Sequence, residues 1–520
     1  MPAVRSAEEK EPADAPSDTG RLPRAELVTL LALCAVSAAA CFFDLGSRSL
    51  WNDEFRSALI ATNHGTSLWS AVTADGGNMS FYYLLLHVFV FLFGNGQLSL
   101  RILSALSGVA LTPVIFFLAR RMFGSRVAVI ASAIVAVSPA LVVWDQQARG
   151  YCLATLLTAS SLLALLQAIE CPTKRRWTLY ALLAVLSIYT VVYAALFLVA
   201  QLLPLAFWQR ARRQARPILT AVGVMVLAYI PILVLLLRAH ATSVLSSNPP
   251  PSTTGALNLL EELGTGIAPD FFATTLVASI VTVVAALCWI AGGTELLSRI
   301  RKAPRELETI SLGIALSWLF LPLIVDPIFS LAYRSIFDPS FLLQSVPAGA
   351  LIIAFVFDKL LPRQATYVCS LGFVALLGAA LIPTYGVSFE PWAQLSRYVR
   401  DASRPGDCLT ANKSELSSNL AYYFYIDGST SVEPRLVLPV LSWSEALDPT
   451  HQGATTTEPF PVVASGCNRL WIVLSRVSPG QFLLVNAEIV WFYKHGFRNG
   501  TVSRFEVQNG FAINVDLLAR

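Results

Sequence analysis

The sequence predicts a polytopic α-helical membrane protein of about eleven transmembrane helices, closed by a small C-terminal α/β domain. Three observations predict it. Hydrophobic residues make up 55% of the 520 residues and charged ones only 13%, about half the share in a soluble domain. The apolar residues fall in long runs that water cannot solvate but lipid can. Lysine and arginine gather in short clusters between those runs.

The first residues are polar, rich in Pro, Ala, Glu, Asp and Ser. Residues 1–24 therefore read as a disordered tail, and the first apolar run reads as a retained span, since no signal-peptide pattern precedes it. The predicted spans are 27–45, 98–119, 126–143, 151–169, 178–190, 192–208, 217–237, 271–293, 308–325, 340–357 and 366–385. The fifth and sixth are short and read as a tight helical pair.

Basic clusters set the sides. Arg21/Arg24, Arg120/Arg121/Arg126, Lys174–Arg176, Arg210–Arg216, Arg299–Arg305 and Lys359/Arg363 all fall on one side of this map. The positive-inside rule makes that side cytoplasmic. Residues 79–93 are apolar and aromatic but short, and counting them as a span would expel Arg120 and Arg121. They read as an interfacial helix on the outer leaflet. The expected organisation is a cytoplasmic tail at 1–24, a transmembrane domain at 25–385 whose first outer loop is 46–97, and an extracytoplasmic domain at 386–520. The expected location is a bacterial plasma membrane, the high Ala, Arg and Leu content pointing to such a source.

In the last segment charge rises and apolar runs shorten. Strands are predicted at 469–475 and 512–518, and helices at 414–425 and 481–495. Of eight cysteines, six lie in or beside apolar runs and read as small core residues. Cys408 and Cys467 lie in the polar segment and can pair in an oxidising compartment; two unpaired buried thiols are the alternative.

Two outer loops carry chemistry. Leu50-Trp51-Asn52-Asp53-Glu54 puts adjacent carboxylates just past the first span, as a general base for a hydroxyl or as a solvated acidic loop. Trp144-Asp145-Gln146-Gln147-Ala148-Arg149-Gly150-Tyr151 puts a guanidinium at the membrane surface. Arg149 there can clamp a phosphate or snorkel to headgroups. Arg334 is a candidate second phosphate contact. Tyr189 and Tyr193 are candidate substrate contacts or interfacial aromatics. His64 and His87 lack Cys or His partners at zinc spacing. No Walker loop, Rossmann fingerprint or Gly-x-Ser-x-Gly elbow occurs in a suitable context, so a nucleotide-driven reading has no support. A net charge of +4 is too small to point to nucleic acid.

These stretches, with Asn78-Met79-Ser80-Phe81-Tyr82-Tyr83-Leu84-Leu85-Leu86-His87, Leu100-Arg101-Ile102-Leu103-Ser104-Ala105 and residues 339–347, resemble the GT-C membrane glycosyltransferases, in particular the bacterial family-39-like group related to protein O-mannosyltransferases and the aminoarabinose transferase. The likeness spans about residues 27–360. It implies a GT-C fold and inverting transfer of a sugar, mannose or another hexose or pentose, from a polyprenyl-phosphate carrier to an extracytoplasmic glycan, lipid or protein. It implies Asp53 as catalytic base with Glu54 beside it. It implies that the Gln146–Tyr151 loop, with Arg149, lies near the donor phosphate or a metal; Asp145 and Arg334 join it as candidate phosphate or lipid contacts, and Asn78, Tyr82, Tyr83, His87, Tyr189 and Tyr193 are candidate substrate-cavity residues. A divalent cation, if used, would fall to Asp53 and Asp145. The chain departs from the pattern at Asn78-Met79-Ser80 (often His-Pro-Pro), at Gln147 (often Glu) and at Ser340-Phe341 (often Arg-Tyr). A lipid-linked sugar transporter or flippase, and a degenerate envelope scaffold, remain alternatives; a transporter more often places charges mid-membrane.

Overall fold

The structure, a computed structural model, describes residues 22–241, 251–265, 276–333, 335–385, 389–411, 414–426, 434–438, 442–447, 466–475, 494, 496–506 and 512–519. The predicted tail up to residue 21, Arg334 and all but one residue of the predicted 481–495 helix lie outside them.

The helices of the apolar part run α1 (Arg24–Phe42), α2 (Asn52–Thr62), α3 (Gly65–Ala74), α4 (Ser80–Phe93), α5 (Gln97–Phe123), α6 (Ser125–Ala136), α7 (Pro139–Asp145), α8 (Tyr151–Glu170), α9 (Lys174–Thr190) and α10 (Ala194–Leu202). They continue as α11 (Gln209–Arg213), α12 (Ala215–Ala241), α13 (Thr253–Thr265), α14 (Leu276–Lys302), α15 (Leu307–Ala332), α16 (Val346–Leu360) and α17 (Arg363–Thr384).

Among the described residues eight helices are long and apolar enough to cross a membrane, or nine when α6 and α7 count as one span bent by 52°. The bend falls at Ser138-Pro139, where the proline supplies no N–H and pushes the residue before it out of the helical region. Within the described residues each of the eleven apolar runs contains helix; residues 271–275 of the eighth run lie outside them. The fifth and sixth are α9 and a helix of 194–207, too short to join the eight.

One end of the bundle gathers the basic clusters. Glu26 on α1 pairs with Arg120 of α5 at 3.0 Å, and Arg121 pairs with Glu170 at the end of α8. Glu308 at the start of α15 meets Arg299 of α14 at 2.9 Å and Lys359 of α16 at 3.2 Å. Partly exposed pairs of this kind are worth about 0–1 kcal/mol each. Their value here is positional: side chains far apart in sequence meet at one end.

The opposite end carries α2, α3 and α4. In α4 the residues Tyr82, Tyr83 and Leu86 are buried while Leu84, Val88, Phe91 and Leu92 are exposed. That two-sided pattern puts one face on the bundle and leaves an apolar face outward. The C-terminal part follows as α18 (Trp392–Ala402), β1 (Asp407–Ala411), α19 (Ser414–Ile426), β2 (Arg435–Leu438), α20 (Trp443–Ala446), β3 (Arg469–Ser475), β4 (Arg498–Glu506) and β5 (Ala512–Ala519). The sheet order is β2-β1-β3-β5-β4. β1 is parallel to β2 and β3, and β5 is antiparallel to β3 and β4. A disulfide joins Cys408 on β1 to Cys467 beside β3.

This sheet domain docks on the first loop. The Tyr423 hydroxyl of α19 accepts the Leu50 N–H at 2.8 Å, and Tyr422 donates to the Asn95 carbonyl at 2.6 Å. Phe55 of α2 packs edge-on against both rings. Glu390, just before α18, accepts the Asn52 N–H that opens α2 at 2.9 Å. The last segment therefore holds α2 in place.

Candidate active site

Asp53 and Glu54 are adjacent, yet the start of α2 turns them to different surroundings, because successive helical residues point about 100° apart. Glu54 is fully buried. Its Oε1 accepts from Arg101 Nε at 2.8 Å and from the Ala148 N–H at 2.8 Å. Its Oε2 accepts from Arg101 Nη2 at 2.7 Å and from the Trp51 N–H at 3.4 Å. Arg101 in turn donates to the carbonyls of Leu45, Arg48 and Ser49. A buried ion pair survives only when its remaining donors and lone pairs are also satisfied, and this one meets that condition. Glu54 thus clamps α2, the segment before it, α5 and the 146–150 loop together. It offers no open face to a substrate, which corrects the expectation that it stands in the catalytic position with Asp53.

Asp53 faces the other way, with 35% of its side chain exposed, and its Oδ2 lies 3.4 Å from Arg149 Nη2. Arg149 is buried. Its Nη1 makes only long contacts, 3.4 Å to the Asp53 carbonyl, 3.5 Å to Ser57 Oγ and 3.4 Å to the Tyr83 hydroxyl. Its Nε has no hydrogen-bond partner among the described residues. The guanidinium carbon sits over the Tyr151 ring at 5.6 Å. A buried cation held this loosely has unused capacity for an anion. Tyr83 donates to Asp75 at 2.9 Å, and Asp75 pairs with Arg56 at 2.6 Å. Arg56 lies three residues after Asp53, on the same side of α2.

The 146–150 loop is fixed by its neighbours. Ser104 donates to the Arg149 carbonyl at 3.0 Å and shares a hydrogen bond with the Tyr82 hydroxyl at 3.1 Å. Gly150 is enclosed: a Cβ there would lie 3.1 Å from Tyr82 and 3.3 Å from Thr190. Tyr82 therefore supports the loop that carries Arg149.

Several predicted site residues are engaged elsewhere. Gln146 donates to the carbonyls of Ala40, Cys41 and Phe43 at the end of α1 and accepts from Arg48. It satisfies the carbonyls that a helix end leaves open and is not presented to a donor phosphate. Asp145 is buried against Cys41, whose thiol donates to it at 3.3 Å. It also packs on Gly108, where any Cβ would fall 2.2 Å from its carboxylate. That enclosure by α1 and α5 removes Asp145 from the phosphate set and from a metal pair with Asp53. Among the described residues no three His, Cys, Asp or Glu side chains converge as a metal site. Asn78 accepts the Val192 N–H at 3.2 Å, and His87 Nδ1 bonds the Ala61 carbonyl at 2.7 Å, with His64 edge-on to its ring. Tyr189 donates to the Ala228 carbonyl of α12 at 3.0 Å. These three tie elements together.

Tyr151 and Tyr193 are brought together through Phe341, which lies 6.2 Å from the first ring and stacks on the second at 5.6 Å. The Tyr193 hydroxyl donates to Asp326 at 2.6 Å. A row of aromatic rings thus leads from Arg149 into the bundle.

Four residues near this site were given no role in the sequence reading, although Arg101 lies in one of the stretches that carry the resemblance. Arg101 and Arg56 are described above. Asp338 accepts from the Ser340 N–H and hydroxyl at 2.9 and 2.6 Å. Burial pushes its carboxyl up, and the nearby Asp53 charge adds to that shift. Burial, with Asp338 and Glu261 adding to it, pushes Glu262 of α13 up to about 8.

A family model described as "Dolichyl-phosphate-mannose-protein mannosyltransferase" matches residues 80–236. No curated protein matches the chain in sequence. Among solved structures, ArnT from Cupriavidus metallidurans in the apo state is similar with a TM-score of 0.58 at 15% identity, covering 95% of this chain and 98% of that one. The same protein bound to undecaprenyl phosphate gives 0.57 at 16%, covering 94% and 97%. The archaeal oligosaccharyltransferase AglB from Archaeoglobus fulgidus, in complex with an inhibitory peptide and a dolichol-phosphate, gives 0.51 at 14%, covering 94% and 74%. The chain has the fold of the GT-C superfamily and is a multi-pass membrane protein.

Proposed function

We propose that this protein is an inverting glycosyltransferase that moves a sugar from a polyprenyl-phosphate carrier to the hydroxyl of an extracytoplasmic glycan, lipid or protein. The observation that carries the reading is the pair of Asp53, a partly exposed carboxylate, and Arg149, a buried guanidinium with long contacts and an Nε without a partner among the described residues. A carboxylate base beside an anion-seeking cation is the minimum such a transfer needs. Similarity to a structure bound to undecaprenyl phosphate supports the choice of donor.

In this mechanism the carrier's phosphate engages Arg149, and Arg149 loosens its hold on Asp53. Asp53 then accepts the proton of an acceptor hydroxyl, whose oxygen attacks the anomeric carbon from the face opposite the phosphate. The carbon–oxygen bond to the phosphate breaks, and Arg149, with Arg56 beside it, stabilises the departing charge. Glu54 and Arg101 hold the two loops at the right separation. These steps use the chain's own side chains; Asp145, enclosed against Cys41 and Gly108, takes no part in them.

In the proposed orientation the basic end is cytoplasmic, and Asp53 and the sheet domain lie outside the plasma membrane. The Cys408–Cys467 disulfide suits an oxidising compartment. The test is to incubate the purified protein with a panel of polyprenyl-phosphate sugars and follow release of the free carrier phosphate. Release from one donor and not the others supports the reading; no release from any donor, with acceptor extracts present, contradicts it.

A further inference from the structure

A second candidate site lies at the basic end, away from Asp53. A cleft with about 480 Å³ of open volume runs between α6 and α17. On α6 it is lined by Ser125, Arg126, Val129, Ile130 and Ala133, on α17 by Arg363, Thr366, Tyr367, Ser370, Leu371 and Val374, and at the end of α16 by Asp358 and Leu361. Both sets recur at helical spacing, so each helix turns one continuous stripe to the cleft.

The two ends of the cleft differ in chemistry. At the mouth stand Arg126, 62% exposed along its side chain, and exposed Arg363. Both lining helices begin there, at Ser125 and Arg363, so both present the positive ends of their dipoles. The carboxylates near the mouth are already engaged. Asp358 lies 3.8 Å from both Arg126 and Lys359, and Glu26 accepts from Ser125 and pairs with Arg120. Away from the mouth the walls are mostly apolar; Thr366 turns its hydroxyl to the Phe357 carbonyl, Tyr367 adds a phenol, and the buried Ser370 hydroxyl has no partner among the described residues.

The length of the apolar wall selects the occupant. From Arg363 to Val374 the helix rises about 16 Å at 1.5 Å per residue. The hydrocarbon of one leaflet is about 15 Å thick, half of a ~30 Å core. A small anion would need only the mouth and leave the stripe unused. An uncharged lipid would leave the arginines unused. We propose that this cleft is a binding site for one anionic phospholipid, with its phosphate on Arg126 and Arg363 and an acyl chain along Val129, Ile130, Ala133, Leu371 and Val374. None of these residues belongs to the proposed catalytic machinery, and the inference does not depend on that activity.

The test is native mass spectrometry of the full-length protein, delipidated and then titrated with phosphatidylglycerol or phosphatidylcholine. The wild type retains the anionic lipid at least fivefold better. Arg126→Ala/Arg363→Ala, two exposed positions, removes that preference without shifting the thermal midpoint. Ala133→Phe, which fills the apolar wall and keeps both arginines, lowers retention of the anionic lipid by a similar factor. Equal retention of the two lipids by the wild type, or an undiminished preference in the double-arginine variant, overturns the proposal. Displacement of the bound lipid by millimolar inorganic phosphate also overturns it, because that would make the mouth alone the site.

Discussion

Glu54→Gln is a near-isosteric change whose consequence follows from the hydrogen bonds at both carboxylate oxygens. Each oxygen accepts two N–H donors, Arg101 Nε and Ala148 N–H on one, Arg101 Nη2 and Trp51 N–H on the other. A glutamine must turn its NH₂ toward one of these sets, so in either orientation donors face donors. It also leaves the Arg101 guanidinium, 3% exposed along its side chain, without its counter-charge. Removing one partner of a buried, fully bonded ion pair costs about 3–5 kcal/mol. Asp53→Asn touches a looser contact, 3.4 Å long, made by a carboxylate that is 35% exposed, so its cost is smaller. Two adjacent substitutions should therefore separate cleanly. In thermal melts of purified protein followed by tryptophan fluorescence, Glu54→Gln lowers the midpoint by several degrees and Asp53→Asn hardly moves it. Adding Arg101→Met to Glu54→Gln recovers part of the loss, and the double-mutant cycle reads the coupling. A Glu54→Gln protein that melts like the wild type but transfers no sugar would refute the structural role and return Glu54 to the chemistry.

Three further outcomes follow from the geometry. Arg149→Lys keeps the charge but loses the planar fork that grips phosphate, so kcat/KM for the donor falls about 10–100-fold, worth about 1.4–2.7 kcal/mol. Steady-state kinetics check it. Cys408→Ser/Cys467→Ser opens a 59-residue separation, for which loop-closure entropy predicts a loss of about 4 kcal/mol from the sheet domain; limited proteolysis of the C-terminal segment reads it. Glu262, held at about 8, binds its proton more tightly folded than unfolded. Its contribution is full below the usual carboxylate range and is lost as pH climbs through about 8. The midpoint of the wild type falls across that window, and Glu262→Gln flattens the fall.

The apolar helices were readable because lipid demands runs that composition alone reveals. The sheet was readable in part: 469–475 and 512–518 correspond to β3 and β5, but β4 carries Arg498, Asn499, Gly500, Thr501 and Arg504 and shows no apolar run. Asp53 and Arg149 stood out as charges in short outer loops. The difference between Asp53 and Glu54 was not readable, since it depends on Arg101 and Ala148 arriving from other segments. The same holds for Gln146, whose partners are carbonyls at the end of α1. Arg56 did have a signal, its helical spacing from Asp53. Asp338 and Glu262 had none, because only the folded bundle brings them near the site.

The most direct test is the transfer rate of Asp53→Asn, measured with the donor that the wild type uses and with donor binding followed in parallel. The account predicts that carrier-phosphate binding persists, the thermal midpoint holds, and turnover falls by about 10²–10⁴-fold, the range of general-base catalysis. Turnover within a few-fold of the wild type in that folded, donor-binding variant would contradict the assignment of Asp53 as the base.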